Sequence, residues 1–132
     1  MAGKAHFGFT KLIVQDLEAM AAFYEVVAGL ERSGRVQSAV GDRAIDEILF
    51  HATGQGGPTL VLFKFLDREA PAREESILGF ITPDVAAFVE RTKAGGGQVV
   101  SEIQTQPEHG VKVAFVTDPE GHLIEVVELL AS

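Results

Sequence analysis

The chain has 132 residues, 46% of them hydrophobic, and a formal net charge of −8. This composition excludes a disordered chain, and the absence of cysteine excludes disulfides, thiol nucleophiles and cysteine metal sites. The negative charge, without any lysine or arginine cluster, argues against nucleic-acid binding, because phosphate contacts need a basic surface.

The first half of the chain predicts a strand, a helix and three more strands. The first strand is expected at residues 7–14, rich in Phe, Ile and Val. Asp16 is placed to cap a helix whose apolar residues recur every three or four positions, and Gly29 is placed to end it. A glycine-rich hairpin loop is expected at residues 54–58. The three strands that follow the helix are predicted at residues 35–40, 45–52 and 59–65, and the loop lies between the last two.

The second half repeats this pattern after a polar linker at residues 67–76. A strand at residues 77–82 precedes Asp84, a second helix cap, and the helix ends at a run of three glycines. Three strands follow at residues 98–103, 111–117 and 122–129. The sequence therefore predicts one α+β domain over residues 1–132, with module 1 at about residues 5–66 and module 2 at about residues 77–130.

The last predicted strand carries a carboxylate in the middle of its apolar alternation. Asp118, Pro119 and Gly121 fit the first, second and fourth positions of a type I turn. The strand that follows places Glu125 on one face between Leu and Val side chains. Burying an unpaired carboxylate is costly, so a ligand, a cation or a partner is expected beside Glu125.

The duplicated pattern, ending in this turn and strand, resembles the vicinal oxygen chelate superfamily. That superfamily includes glyoxalase I, extradiol dioxygenases, fosfomycin resistance enzymes and bleomycin resistance proteins. Residues 14–17 with Phe23 and Tyr24 resemble its first strand-to-helix junction, and residues 84–88 resemble its second. The resemblance implies paired βαβββ modules that form an open cleft, and a homodimer.

The resemblance also implies metal ligands on the first and fourth strands of the modules. The final glutamate position falls on Glu125. The other three positions fall on Phe9, on or beside Leu62, and on Ile77, which are apolar. A site of two histidines and one carboxylate needs two convergent imidazoles, so no metal ligands and no cofactor are predicted, and a divalent metal is disfavoured.

A slipped alignment does not restore the missing histidines. His6 lies three residues from Phe9 and faces the other way, while Glu75 lies two residues from Ile77 and keeps its face. His122 precedes Glu125 by three residues, so the two side chains are expected on opposite faces.

Two lysines are predicted to reach the cleft. Lys11 is expected to share a strand face with Phe9, and Lys64 with Leu62. Two alternatives follow for Glu125: an ion pair with one of these lysines, or a carboxylate without a cation, whose charged form its apolar neighbours disfavour. The predicted ligand-binding set is therefore Phe9, Lys11, Leu62, Lys64, Ile77 and Glu125.

These residues favour a protein that binds a small apolar or cationic organic ligand, chiefly by burial. The alternative is a lyase, isomerase or dioxygenase-type enzyme that uses Glu125 as the catalytic acid or base, or in an atypical metal site. A regulatory or partner-binding module with an empty cleft is the third hypothesis. Without a membrane-spanning run or an apolar leader, a cytoplasmic location is expected, with no membrane or nucleic-acid partner.

Overall fold

The structure is a computed structural model that describes residues 7–54, 57–67 and 76–131. Its elements repeat the βαβββ order twice, and two four-stranded sheets are ordered β1-β4-β3-β2 and β5-β8-β7-β6. No helix within the described ranges is long and apolar enough to cross a membrane. The elements are β1 (Phe9–Ile13), α1 (Leu17–Ala28), β2 (Arg32–Val40), β3 (Arg43–Phe50), β4 (Thr59–Phe65), β5 (Ile77–Ile81), α2 (Val85–Ala94), β6 (Gln98–Gln106), β7 (Val111–Thr117) and β8 (Leu123–Leu129).

The predicted α+β architecture is confirmed. In each sheet the first strand of the repeat pairs in parallel with the fourth, and the other pairs are antiparallel. Contacts divide the chain into two compact units. Unit 1 is Met1–Ala21 with Leu30–Ala70, and unit 2 is Ala22–Gly29 with Pro71–Ser132. Helix α1 therefore contributes its second half to unit 2.

Both helices begin and α1 ends where the sequence predicts. The Asp16 carboxylate accepts from the Ala19 N–H at 3.0 Å, and Asp84 accepts from Ala87 at 3.0 Å. Each cap satisfies a backbone donor that has no partner in the first helical turn. Gly29 follows α1 with φ of 70°, a left-handed conformation that costs glycine little.

Several strand ends differ from the prediction. β6 continues to Gln106 because its pairing with β7 resumes after two register shifts, which the apolar pattern does not show. β2 begins at Arg32 rather than at residue 35, paired with Phe50. Most of the predicted linker, residues 68–75, and residues 55 and 56 of the predicted hairpin loop lie outside the described residues.

Each sheet has one face whose side chains are buried at its centre. In unit 2, Ile124 and Val126 of β8 are fully buried, and α2 contacts β6, β7 and β8. In unit 1, Leu62 and Ile48 are fully buried at paired positions of β4 and β3. Burying these aliphatic side chains stabilises each unit by roughly 1.5–3 kcal/mol per residue. Candidate functional side chains are therefore those on the opposite face of each sheet.

Candidate functional site

Glu125 lies in the middle of β8, on the face of unit 2 opposite the one that carries Ile124. Its register partners are Gly79 of β5 and Phe115 of β7. Because side chains alternate along a strand, residues paired in register share a face. We call this surface the Glu125 face. Its other paired positions are Ile77, Ile81, Leu123, Val127, Leu129, Val111, Val113, Thr117, Gln98, Ser101, Gln104 and Gln106.

The Glu125 face is apolar and partly accessible to solvent. Ile77 is 59% exposed, Ile81 73% and Leu129 63%. The β6 positions of this face are instead neutral and polar, three glutamines and a serine. A contiguous exposed apolar surface with a polar edge is characteristic of a binding site in a folded protein. This face therefore has the pattern of a surface that another molecule contacts.

Glu125 is the one charged residue among these paired positions. Its side chain is half-buried, and no hydrogen bond or ion pair reaches its carboxylate from any residue that the structure describes. A carboxylate in such surroundings has lost part of its hydration without gaining a protein partner. The site can therefore attract a positively charged group.

The structure brings two of the predicted site residues onto this face. Ile77 pairs with Leu123, two positions from Glu125 along the same strands, so both side chains project from one surface. His122 lies on the opposite face, as predicted, where it is 9% exposed and hydrogen-bonded to Asp118. It cannot join Glu125 in a shared site.

In unit 1 the charged side chain of Lys11 lies on a sheet face that also carries Phe9 and Phe63. We call this surface the Lys11 face. The Lys11 ammonium donates to the Glu47 carboxylate at 2.9 Å. It also lies 4.8 Å from the centroid of the Phe63 ring and 5.6 Å from that of Phe9. Aromatic faces attract cations, so the lysine is held by a carboxylate and two rings together.

Both lysines that were candidates to pair with Glu125 have partners within unit 1. Lys11 pairs with Glu47, and the Lys64 ammonium donates to the backbone oxygen of Gln15 at 2.6 Å. Glu47 was not predicted as the partner of Lys11, although the sequence carries a signal for it. Glu47 interrupts an apolar strand alternation in the same way as Glu125, because Ile45 and Leu49 flank it on one face.

Leu62 and Lys64 also lie on a different face from the predicted one. Phe9 pairs with Thr59, and Leu12 pairs with Leu62, so Leu62 faces away from Phe9 and is fully buried. Lys64 is two residues further along and shares that face. The error is a shift of one residue, which moves a strand side chain to the opposite surface. The β4 residue on the Lys11 face is Phe63, one residue beyond Leu62.

The donor set does not fit the metal that the family resemblance implies. In the part of the chain that the structure describes, no group of three or more His, Asp or Glu side chains is placed to hold an ion. The register neighbours of Glu125 are Gly79 and Phe115, which offer no ligand atoms from side chains. His6 and Glu75, considered as substitutes, lie outside the described residues. No chemical step is assigned to a metal here.

A buried polar network lies on the other face of unit 2. The Asp118 carboxylate accepts from the Tyr24 hydroxyl and from Nδ1 of His122, both at 2.7 Å. It also accepts from the backbone N–H groups of Glu120 and His122 at 2.9 and 3.0 Å. The turn predicted at residues 118–121 is confirmed by the bond from the Gly121 N–H to the Asp118 carbonyl at 2.9 Å.

Burial and charge shift the pKa values in this network in opposite directions. Burial, together with the neighbouring Asp118 carboxylate, raises the pKa of the Tyr24 hydroxyl well above its usual value. Burial also opposes ionisation of Asp118, but the hydrogen bonds from His122 and Tyr24 outweigh it and hold its pKa below the usual range. The network therefore contains an ionised aspartate and a neutral tyrosine. It stabilises the turn that leads into β8 and so positions Glu125.

A separate pocket of about 290 Å³ lies in unit 2 beside the end of α1 and the start of α2. Its walls are largely apolar, with Phe80 and Phe88 among them. Nε of Arg91 donates to the Val27 carbonyl at 3.0 Å, and its guanidinium lies 5.8 Å from the Phe88 ring centroid. The last turn of α1 has no basic residue of its own, so Arg91 satisfies one of its terminal carbonyls. This role is structural.

Comparison with known proteins gives a consistent result across sequence and structure. The sequence pattern that defines the Glyoxalase/Bleomycin resistance protein/Dioxygenase superfamily matches residues 5–126. The protein YwbC of Bacillus subtilis (strain 168) is 28% identical over 119 residues, which are 88% of this chain and 91% of YwbC.

Solved structures share the fold at lower identity. A glyoxalase family protein from Bacillus cereus matches with a TM-score of 0.81 and 20% identity, over 99% of both chains. TioX from Micromonospora sp. ML1 matches with a TM-score of 0.66 and 22% identity, over 96% of this chain and 100% of TioX. A glyoxalase I mutant from Zea mays has a TM-score of 0.70 and 23% identity, over 92% of this chain and 45% of that chain.

Proposed function

Because the chain belongs to the Glyoxalase/Bleomycin resistance protein/Dioxygenase superfamily, we propose that it binds a small, largely apolar organic cation on the Glu125 face. The observation that carries this proposal is the half-buried carboxylate of Glu125, which has no partner among the described residues and lies within an exposed apolar surface. The apolar surface would supply affinity through burial, and Glu125 would fix the position of the positive group.

The chemistry around Glu125 supports a cation over an anion or a metal ion. An incoming positive group restores the electrostatic partner that the carboxylate lacks, whereas an anion would be repelled. A net charge of −8 favours the approach of cations over a longer range. The glutamines of β6 offer neutral donors and acceptors at the edge of the face, which suits polar substituents of the ligand.

The set of proposed contact residues is smaller than the sequence suggested. Glu125 and Ile77 remain in it, because they share the Glu125 face. Leu62 and Lys64 are removed because of their orientation. A ligand contact for Phe9 or Lys11, both on the Lys11 face of unit 1, stays a prediction.

Replacing Glu125 by glutamine is expected to weaken the binding of an organic cation while the fold is retained. With benzyltrimethylammonium as the probe, we expect the dissociation constant to rise about fivefold, the equivalent of about 1 kcal/mol for a partly exposed ion pair. Isothermal titration calorimetry at low salt gives this value directly. Added salt is expected to reduce the difference between the two proteins.

Glu128 provides a matched control on the same strand. It lies on the opposite face, where its carboxylate accepts from the Val85 N–H at 2.9 Å. Glu128→Gln removes the same charge but is expected to leave the dissociation constant close to that of the wild type. If neither benzyltrimethylammonium nor any other organic cation in a panel binds the wild type, the proposed function is wrong.

We also propose that the protein assembles as a homodimer. Phe7 and Phe9 are 71% and 56% exposed at the start of β1, an edge strand, and such exposed aromatic surface is more stable when a partner covers it. Sedimentation equilibrium is expected to give twice the chain mass, with Phe7→Ser weakening the association. Val100→Ser, which also removes an exposed apolar side chain, is the control. A wild type that stays monomeric over the whole concentration range would overturn the proposal.

A further inference from the structure

Gly79 occupies a position in β5 where nothing in the fold calls for glycine. β5 pairs with β8 in unbroken register from Ile77 to Ile81, without a bulge. Gly79 is not among the glycines with positive φ, so other residues can adopt its backbone conformation. A Cβ atom built on it would meet no atom of the described residues within 4 Å, its two chain neighbours aside.

Glycine in this setting weakens the strand that contains it. It loses more backbone entropy on folding than any other residue, and it offers no side chain to pack on the sheet. A β-branched residue would suit a paired strand position better. Glycine within a strand often marks a place where another molecule or another backbone approaches closely.

The space above Gly79 is next to the Glu125 carboxylate. Gly79, Glu125 and Phe115 form a row across three neighbouring strands, and strands are about 4.8 Å apart, so this row is about 10 Å long. Bare backbone lies at one end of the row and an aromatic ring at the other. Along β5 the space is bounded by the exposed side chains of Ile77 and Ile81. The result is a flat, apolar recess with one negative charge at its side.

We propose that Gly79 determines the specificity of the ligand site, and that the ligand is a flat aromatic cation whose ring system lies on the Gly79 backbone beside Glu125. This inference rests on the proposed function, because it assigns a shape to the ligand that Glu125 binds. A planar ring brings more of its atoms within contact distance of a bare backbone than a tetrahedral or puckered body does. Phe115 adds a second attraction for the positive charge through its ring face.

Three probes separate shape from charge. N-methylquinolinium is flat and cationic, quinoline at neutral pH is flat and uncharged, and cyclohexyltrimethylammonium is cationic but not flat. With the wild type, calorimetry is expected to show the tightest binding for N-methylquinolinium, by about fivefold or more over each of the other two. Amide shifts in NMR spectra are expected to map this binding to β5, β7 and β8.

Gly79→Val places a branched side chain in the recess, and its Cβ atom has no atom of the described residues within 4 Å beyond its chain neighbours. We expect it to weaken N-methylquinolinium binding at least tenfold while cyclohexyltrimethylammonium binding changes little. Its unfolding midpoint in urea is expected to equal or exceed that of the wild type, which excludes unfolding as the cause. Gly34→Val on β2 is the control for adding the same side chain away from the site: Gly34 also has open space and no positive φ, although it lies at a register shift.

The outcomes distinguish this inference from the proposed function. Loss of N-methylquinolinium binding in Gly79→Val, but not in Gly34→Val, supports it. If Glu125→Gln weakens cation binding while Gly79→Val binds all three probes as the wild type does, the role of Gly79 is wrong and the proposed function stands. If the wild type binds cyclohexyltrimethylammonium as tightly as N-methylquinolinium, the role of Gly79 is likewise wrong and the proposed function stands. If no organic cation binds the wild type, both proposals are overturned. If Gly79→Val changes only the oligomeric state, the space receives another backbone and not a ligand.

Discussion

Replacing Asp118 by alanine is expected to lower the free energy of unfolding by about 3–5 kcal/mol, a large share of what holds a domain of this size folded. The substitution removes the acceptor of four hydrogen bonds, from the Tyr24 hydroxyl, the His122 ring and two backbone N–H groups. The Tyr24 side chain is fully buried, so water cannot replace its lost partner without entering the core. Urea unfolding followed by circular dichroism measures the loss.

Asp84→Ala is the matched control for this substitution. Asp84 is an exposed helix cap in the same unit that accepts from one backbone N–H, so its loss is expected to cost about 1 kcal/mol. Tyr24→Phe, which deletes a single donor to Asp118, is expected to fall between the two. An Asp118→Ala variant no less stable than Asp84→Ala would show that the network does not stabilise the fold.

The same network gives stability a dependence on acid pH. The pKa of Asp118 is lower in the folded chain than in the unfolded one, so its contribution is fully present above the unfolded value of about 3.9. It is lost as the pH falls through the folded pKa, because protonation removes the charge that His122 and Tyr24 stabilise. Asp118→Asn is therefore expected to flatten the acid part of the curve of unfolding free energy against pH. A mutant curve parallel to that of the wild type would contradict this assignment.

Replacing Gly97 by alanine is expected to destabilise the protein by about 1–3 kcal/mol or more. Gly97 joins α2 to β6, and its N–H donates to the Thr92 carbonyl at 2.9 Å. An added Cβ atom would press against the backbone oxygen of Thr117 and lie 2.6 Å from Cγ2 of Thr92. Thr92 is fully buried, so neither neighbour can move aside without disturbing the core. Thermal unfolding followed by circular dichroism tests the prediction.

Gly79→Ala is the control for Gly97→Ala, because the same methyl group is added where nothing lies within 4 Å. We expect it to change stability little, or to increase it by a fraction of the roughly 0.5–1 kcal/mol by which glycine weakens a strand. Equal destabilisation by the two substitutions would mean that the close contact at Gly97 is relieved at no cost.

The three glycines after α2 illustrate how far the sequence can be interpreted. As a run, Gly95 to Gly97 indicates the end of a helix, and α2 does end at Ala94. The sequence does not show that these residues have different tasks. Gly96 has φ of 95°, whereas Gly97 has no positive φ and is required by contact with Thr117 and Thr92. The second requirement involves β7, twenty residues further along the chain.

In the candidate site, too, some features are predictable from the local sequence and others depend on contacts between distant segments. The alternation around Glu125 correctly placed it on a face with Leu123 and Val127, and it correctly placed His122 on the other face. The equivalent inference failed for Leu62, because it depended on matching β4 to a family pattern within one residue. The partner of Lys11 could not be found from its own strand, since Glu47 is brought to it by the pairing of β4 with both β1 and β3.

The sequence by itself determined the duplicated order of elements, the helix caps at Asp16 and Asp84, and the turn at residues 118–121. These features depend on hydrogen bonds and side-chain periods within a few residues, so local chemistry is enough to specify them. Only the tertiary structure decided that Glu47 neutralises Lys11, that Glu125 has no such partner among the described residues, and that Gly79 leaves space beside it. Those facts depend on strand register and packing between distant segments, where a shift of one residue reverses the face that a side chain occupies.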